Sequence, residues 1–287
     1  MSTTLTIRTL LSALDRMTPF ALAESWDNVG LMVGAPDQAV NGLLVGLDPT
    51  ETLLDEAIAL GCNTLLTHHP LFFKPVKNLR TDQPLGRFLA KALASGINVI
   101  ACHTNLDVVT DGVSDILAQR LGLNHCQPLT TMPAVAGETP LGFGRIGNLA
   151  QPLPATAFLA TLPKALHCQA FSVAGPLPPT VSRIAVCGGS GSDLAERAQE
   201  LGAEAYITAE VKHSVARWAE MASLCIIDAG HFATENIVIK AFADRVATAL
   251  DSSGHATPVR VTSKQQGPFA FYCTAKGCNS LSDIDSP

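Results

Sequence analysis

Residues Gly42–Thr67 read GLLVGLDPTETLLDEAIALGCNTLLT. A short apolar run from Gly42 to Asp48 gives way to helical spacing from Thr50 to Leu60. Gly61 supplies a helix stop, and Thr64 to Thr67 is apolar again. The stretch is a strand, a helix and a second strand. A second such unit follows at Ile184–Thr208, IAVCGGSGSDLAERAQELGAEAYIT. The two superimpose without a gap at an offset of 141, matching Val45 with Val186, Leu53 with Leu194, Ala57 with Ala198, Gly61 with Gly202 and Thr67 with Thr208. This predicts an internal duplication.

Each half then adds a helix and a strand: Pro84 to Ser95 leads to Asn98–Cys102, and Val211 to Ala222 leads to Leu224–Ile227. Alternating strands and helices predict two similar α/β domains with mainly parallel sheets. The Pro-rich residues 126–182 read as a crossover. The expected first domain is therefore discontinuous, 1–127 plus 232–287, with 128–231 as the second. A helix over Ile237 to Leu250 and the run Phe269 to Cys273 are expected to return to the first sheet, and Lys276 to Pro287 reads as a tail.

With 287 residues, 47% hydrophobic, 15% charged and mean hydropathy +0.25, the chain is not a disordered, collagen-like or coiled-coil protein. A net charge of -6 gives no electrostatic attraction for a polyanion, so nucleic acid is disfavoured as a partner. Arg8, Asp15 and Arg16 interrupt any apolar leader, and the longest uncharged stretch, Ala165 to Ser182, carries three prolines, so neither export nor a membrane span is expected. None of the eight cysteines forms a C-x-x-C pair. Cys62, Cys102, Cys187 and Cys225 sit in or beside apolar runs, as reduced buried thiols do, which predicts a cytoplasmic setting.

In open α/β sheets ligands collect beyond the carboxyl ends of the strands. There the first half offers His68-His69-Pro70 and His103-Thr104-Asn105-Leu106-Asp107; the second offers Asp228-Ala229-Gly230-His231 and then Glu235. Adjacent histidines inside a strand point to opposite faces, but at a strand end two diverging imidazoles can reach two metals of a close pair. His231 and Glu235, four apart, share one face if the chain turns helical after Gly230. Each motif alone also has an ordinary reading: a core histidine beside a solvated one, a surface i,i+4 pair, Asp107 as a helix cap. Together, three histidines and two carboxylates form a mixed N/O set suited to two Fe, Mn, Zn or Ni ions.

Other motifs are weaker. Gly142–Gly147 matches G-x-G-x-x-G, but prolines flank it and no phosphate-facing helix is expected to follow. Gly188-Gly189-Ser190-Gly191-Ser192 lies between a strand and a helix without a Walker lysine, and reads as a tight turn. Glu24–Gly30, around Trp26, could line a pocket or cap the first helix. Glu210 and His213 follow the strand equivalent to that of His68 and are candidate acid/base or substrate-contacting groups.

The stretches SWDNVGLMVG, LLTHHPLFFKPVKNL, ACHTNLDVV and DAGHFATE, in this order, resemble the GTP cyclohydrolase 1 type 2 family, also called the Ngg-one-interacting factor three family. The resemblance covers nearly the whole chain. It implies two similar α/β domains with a dinuclear metal site in the cleft between them, and a toroidal homohexamer. It further implies that His68 and Asp107 serve one metal, His69 and His231 the other, and that Glu235 bridges. The chain departs from the family's pattern where Thr208-Ala209-Glu210 and His213-Ser214 stand in place of Thr-Gly-Glu and paired histidines.

These readings predict a dinuclear metal-dependent hydrolase, a GTP cyclohydrolase 1 type 2, using a metal-activated water, with Glu210 or His103 moving protons. The substrate is expected to be a small molecule, with a nucleotide in view. Lys74, Lys77, Arg80 and Lys212 are candidate phosphate contacts. The alternative is a non-catalytic metal-binding hexameric scaffold or regulator.

Overall fold

The structure, a computed structural model, describes residues 4–132 and 140–271. In chain order the first elements are α1 (Ile7–Met17), β1 (Gly30–Val33), β2 (Leu43–Gly46), α2 (Glu51–Ala59), β3 (Thr64–Thr67), α3 (Pro84–Ala94), β4 (Asn98–Ala101) and α4 (Thr104–Val108). Next come α5 (Val113–Arg120), β5 (Asn124–Gln127), β6 (Arg145–Pro154), α6 (Ala155–Leu166), β7 (Ser172–Ala174), β8 (Thr180–Ser190) and α7 (Ala195–Glu200). The chain finishes with β9 (Ala205–Ala209), α8 (His213–Ala222), β10 (Cys225–Asp228), α9 (His231–Glu235), α10 (Ile237–Ser252) and β11 (Val259–Val261).

The chain divides into two compact units. One comprises the segment up to Val109 together with Val238–Gln266; the other comprises Thr110–Ile237 and the segment from Gly267. The crossings thus fall after Val109 and Ile237 rather than after 127 and 231. Packing explains the difference: Leu117, Ala118, Leu121, Leu123 and Ile237 join the core of the second sheet. His231 and Glu235, which the expected boundary separated, both lie in the second unit.

The first sheet has the order β1-β4-β3-β2-β11, with β11, β2, β3 and β4 parallel and β1 antiparallel at the edge. Every residue of β2, β3 and β4 is buried, as befits parallel strands covered on both faces. One face packs on Leu53, Leu54 and Ala57 of α2 and on Phe88, Leu89 and Ala92 of α3. The return to this sheet is made by Val259–Val261, paired in register with Leu43–Val45, not by the run from Phe269. Phe269 and Phe271 are exposed, while Cys273 and the expected tail Lys276–Pro287 lie outside the described residues.

The second sheet, β5-β6-β8-β9-β10-β7, keeps parallel β8, β9 and β10 at its centre and flanks them with antiparallel strands. The period of two is visible in its core. Ile184, Val186, Ala205, Ile207, Cys225 and Ile227 face Leu117 of α5 and Phe158, Leu159 and Leu162 of α6. The intervening Ala185, Cys187, Tyr206 and Ile226 face Ala198 of α7 and Ala219 of α8. The duplication is written in the register: Leu43 pairs with Thr64, and Ile184 with Ala205, the same offset of 141 residues.

Beyond β11, buried Glu56 of α2 accepts hydrogen bonds from Thr262 Oγ1, Ser263 N (3.0 Å) and Ser263 Oγ (2.9 Å). Gln265 then accepts from Leu47 N at 2.5 Å and donates to Asp48 O at 2.5 Å. The C-terminal segment of the first unit is thereby latched over the end of β2. Burial pushes the Glu56 carboxyl up, but these hydrogen bonds and the nearby Lys264 outweigh it and leave the carboxyl below its ordinary value. A depressed folded-state value means stability that is present above the ordinary glutamate range and lost as pH falls through it. Glu56→Gln is expected to cost about 1–3 kcal/mol at neutral pH and to flatten the acid side of the unfolding profile, read by urea denaturation between neutral and acidic pH.

Candidate metal centre

In the first unit the carboxyl ends of β2, β3 and β4 lie on one edge of the sheet, and the backbone carries the ladder a step past each strand. His68 N donates to Gly46 O (3.2 Å), His69 N to Leu47 O (2.9 Å) and Cys102 N to Thr67 O (2.9 Å). The paired histidines therefore leave the strand just where alternation ends. Their rings do not diverge to opposite faces: the centroids of His68 and His69 are 5.0 Å apart, and His103 lies 5.0 Å from the first and 5.5 Å from the second. One ring nitrogen from each of the three lies within 4.8 Å of the others, a group able to hold a metal ion.

Each of these rings is oriented through Nδ1. His68, whose side chain is fully buried, donates Nδ1–H to Cys102 O at 3.0 Å. His69 Nδ1 meets Asp48 Oδ1 at 2.7 Å, and His103 Nδ1 meets Asp27 Oδ1 at 2.9 Å. A carbonyl or carboxylate oxygen only accepts, so Nδ1 carries the proton and the neutral ring keeps its lone pair on Nε2. This is how metal-binding histidines are prepared by their surroundings. His68 Nε2 lies 3.6 Å from Oδ1 of Asp107, which belongs to α4 and does not cap the following helix; Gly112 holds that position.

Asp27 is fully buried at its side chain and also accepts from Thr104 N (3.0 Å) and Thr104 Oγ1 (2.5 Å). Burial pushes its carboxyl up. The hydrogen bonds from His103 and Thr104 more than reverse this and hold it at about 2. The Glu24–Gly30 cluster thus serves the site. It does not cap α1, whose N-terminus is capped by Thr6.

In the second unit the carboxyl ends of β8, β9 and β10 present the other half of the predicted set. Gly230, at φ +86°, turns the chain into α9 and places His231 and Glu235 one turn apart. His231 Nε2 lies 2.9 Å from Glu235 Oε2, and its Nδ1 lies 2.9 Å from Glu210 Oε1. Glu210 stands where the duplication places the counterpart of His69. It carries φ +54° and is held by Ser192 Oγ, which donates to its carbonyl. Its carboxylate orients the histidine, the part that Asp48 plays in the first unit. His213 is exposed at the start of α8, and among the described residues no hydrogen bond or ion pair links it to these groups.

Gly188, Gly189 and Ser190, read from the sequence as part of a tight turn, are the last residues of β8, and Gly189 has a use there beyond turning the chain. A Cβ on Gly189, whose φ is +64°, would fall 2.0 Å from Glu235 Oε1 and 3.2 Å from His231 Nε2. Gly189 N also takes Thr234 Oγ1 as acceptor at 3.0 Å. By contrast, Gly142–Gly147 leads straight into β6, so no helix N-terminus follows it.

Sequence reading did not single out Asp48, and it took Gly189 only as part of a tight turn. Asp48 also follows a strand end, and carrying the strand-end rule to β2 would have found it. Gly189 carries no such signal, because its role depends on what another segment places beside it.

The site defines an α/β protein with imidazole and carboxylate groups gathered at the carboxyl ends of parallel strands. The family model for Duf34/NIF3 (NGG1p interacting factor 3) matches residues 5–268, and the chain belongs to that family. A "GTP cyclohydrolase 1 type 2 homolog" of Clostridium acetobutylicum is 32% identical over 268 residues, covering 93% of this chain and 99% of that protein. One of the same name in Streptomyces coelicolor is 37% identical over 229 residues, 79% of this chain and 80% of that protein. A Staphylococcus aureus hypothetical protein of known structure superimposes with a TM-score of 0.88 at 27% identity, covering 94% of this chain and 100% of the other.

Gly189→Ala is expected to lower stability by about 1–3 kcal/mol, because the new methyl meets the Glu235 carboxylate at a strained φ. Thermal unfolding beside Gly254→Ala, which meets nothing within 4 Å at φ +81°, separates the steric part from the backbone part.

Proposed function

We propose that the chain is a metal-dependent hydrolase acting on a small electrophilic substrate, with GTP the first candidate. His68, His69 and Asp107 from the first unit, with His231 and Glu235 from the second, would hold two divalent ions of the Fe, Mn, Zn or Ni type. One observation carries this reading. Imidazole Nε2 atoms, with Nδ1 already engaged, face carboxylate oxygens at His68–Asp107 and His231–Glu235. At 2.9 Å the two acceptors of His231–Glu235 need a positive charge between them, a proton or a metal, the 3.6 Å between His68 and Asp107 suits a shared cation, and the N/O donor set suits first-row divalent ions. Bound there, the ions supply Lewis-acid polarisation and water activation.

The chain's own residues do the rest. Asp48 and Glu210 hold the rings of His69 and His231 in one orientation. His103, with its Nδ1 proton held on Asp27, is the group to accept and return a proton at Nε2. Lys74 and Lys77 are exposed beside the His69 loop and suit a phosphate chain, whereas Arg80 and Lys212 are engaged with Asp82 and Asp193 at 2.5 and 2.6 Å. Six cysteines of the described residues are free thiols, and no helix among those residues is long and apolar enough to cross a membrane. The free thiols support a cytoplasmic protein, and the family resemblance supports a homohexamer.

The first test is metal analysis of the purified chain by plasma mass spectrometry, followed by formate release from GTP. About two ions per chain are expected, with most lost in His69→Ala and Glu235→Ala, and GTP turnover lost with them. A metal-free chain would overturn the reading. Metal without turnover of GTP or a generic phosphodiester would leave the hexameric scaffold in front. Separately, Asp48→Asn is expected to weaken metal affinity by about 10–100-fold while leaving the thermal unfolding of the metal-free chain nearly unchanged, checked by competition with a chromophoric chelator.

A further inference from the structure

Beside the three imidazoles of the first unit stand two large aromatic side chains that the fold leaves open: Trp26 is 56% exposed and Phe73 48%. Their ring centroids are 5.9 Å apart at 45°, and both adjoin His103, at 6.0 and 5.7 Å. Aromatic residues make up only 5% of the chain, and exposing two together forgoes the burial that such rings ordinarily gain. The pair is also held in place. Asn28 Nδ2 donates to Phe72 O at 2.8 Å, tying the Trp26 loop to the Phe73 loop, and Asp27 next to Trp26 is anchored by His103 and Thr104. Aromatic faces fixed on short tethered loops lose little freedom when a planar ligand stacks on them.

Charge narrows the choice of ligand. Lys74 follows Phe73 directly and Lys77 lies three residues further on; both are exposed, and no ion pair among the described residues includes either. Aromatic faces beside free ammonium groups suit a flat heteroaromatic ring carrying a phosphate chain.

We infer that Trp26 and Phe73 form a stacking subsite for the base of a nucleotide, with Lys74 and Lys77 taking its phosphates, so that the base lies beside His103. This rests on the hydrolase reading for its purpose, but the subsite exists or fails independently of turnover. It gives the Trp26 loop a role in choosing substrate.

The test uses the metal-loaded full chain in a Trp218→Phe background, which makes Trp26 the sole indole. Guanosine and GTP are expected to quench Trp26 fluorescence, GTP at lower concentration; inorganic tripolyphosphate, followed by calorimetry, binds without quenching. Phe73→Ala should weaken guanosine and GTP about tenfold or more, with metal content and tripolyphosphate binding unchanged. Lys74→Ala with Lys77→Ala should weaken GTP and tripolyphosphate but not guanosine. Absence of quenching, or equal guanosine affinity in Phe73→Ala, overturns the proposal. So does a shift toward smaller species on sedimentation of Phe73→Ala, which would show the pair packing against a second copy of the chain. Quenching that persists while GTP is never turned over sinks the hydrolase reading alone; turnover that survives Phe73→Ala unchanged sinks the stacking subsite alone.

Discussion

His69, His103 and His231 each give Nδ1 to a carboxylate, Asp48, Asp27 and Glu210 in turn, at 2.7 to 2.9 Å, and His68 gives its own to a backbone carbonyl at 3.0 Å. An imidazole so held has one tautomer, one orientation and one lone pair left to offer. The neighbouring structure supports those carboxylates in turn. Gln265 clamps the backbone of Asp48, Thr104 binds Asp27, and Ser192 holds the carbonyl of Glu210. Hydrogen bonds to charged acceptors in partly buried places are among the stronger ones a protein makes, so the rings stay oriented without any ligand to order them.

Such preparation is feasible because of the sheets beneath. Parallel strands all end on the same edge, so three or four loops converge there without any long excursion of the chain. Both units keep a core of three parallel strands in the same register. The duplicated scaffold thus delivers two sets of strand ends, and the sequence differentiates them. His68 and His69 in the first unit correspond to Ala209 and Glu210 in the second, where the imidazole is supplied instead by α9. One architecture places a histidine with a carboxylate behind it; its repeat places a carboxylate with a histidine in front.

The fold was legible from the chain because strand-helix-strand units announce themselves locally: apolar runs of four to seven residues, a helical stripe, a glycine stop. The offset of 141 found in the sequence is the offset of the strand pairing. The domain crossings were less legible. The segment Val113–Gln127 carries a helix and strand whose partners lie in the second sheet, and nothing local says which sheet an amphipathic helix will cover. The Phe269 run looked like a returning strand on hydrophobicity alone, whereas Val259–Val261, a shorter stretch broken by Arg260, holds the ladder.

By itself the sequence determined the element types, the repeat, and the candidate set His68, His69, His103, Asp107, Glu210, His231 and Glu235, because donor type and position after a strand are properties of the chain. Tertiary structure decided what stands behind each ring. Asp48 lies 21 residues from His69, Asp27 76 residues from His103, and Glu210 21 residues from His231. Gly189 is required because its φ is +64° and because Glu235 comes within 2.0 Å of where its Cβ would stand. These are contacts between segments brought together by folding. Hydrogen bonds and steric limits act over a few ångströms of space, whatever the separation along the chain.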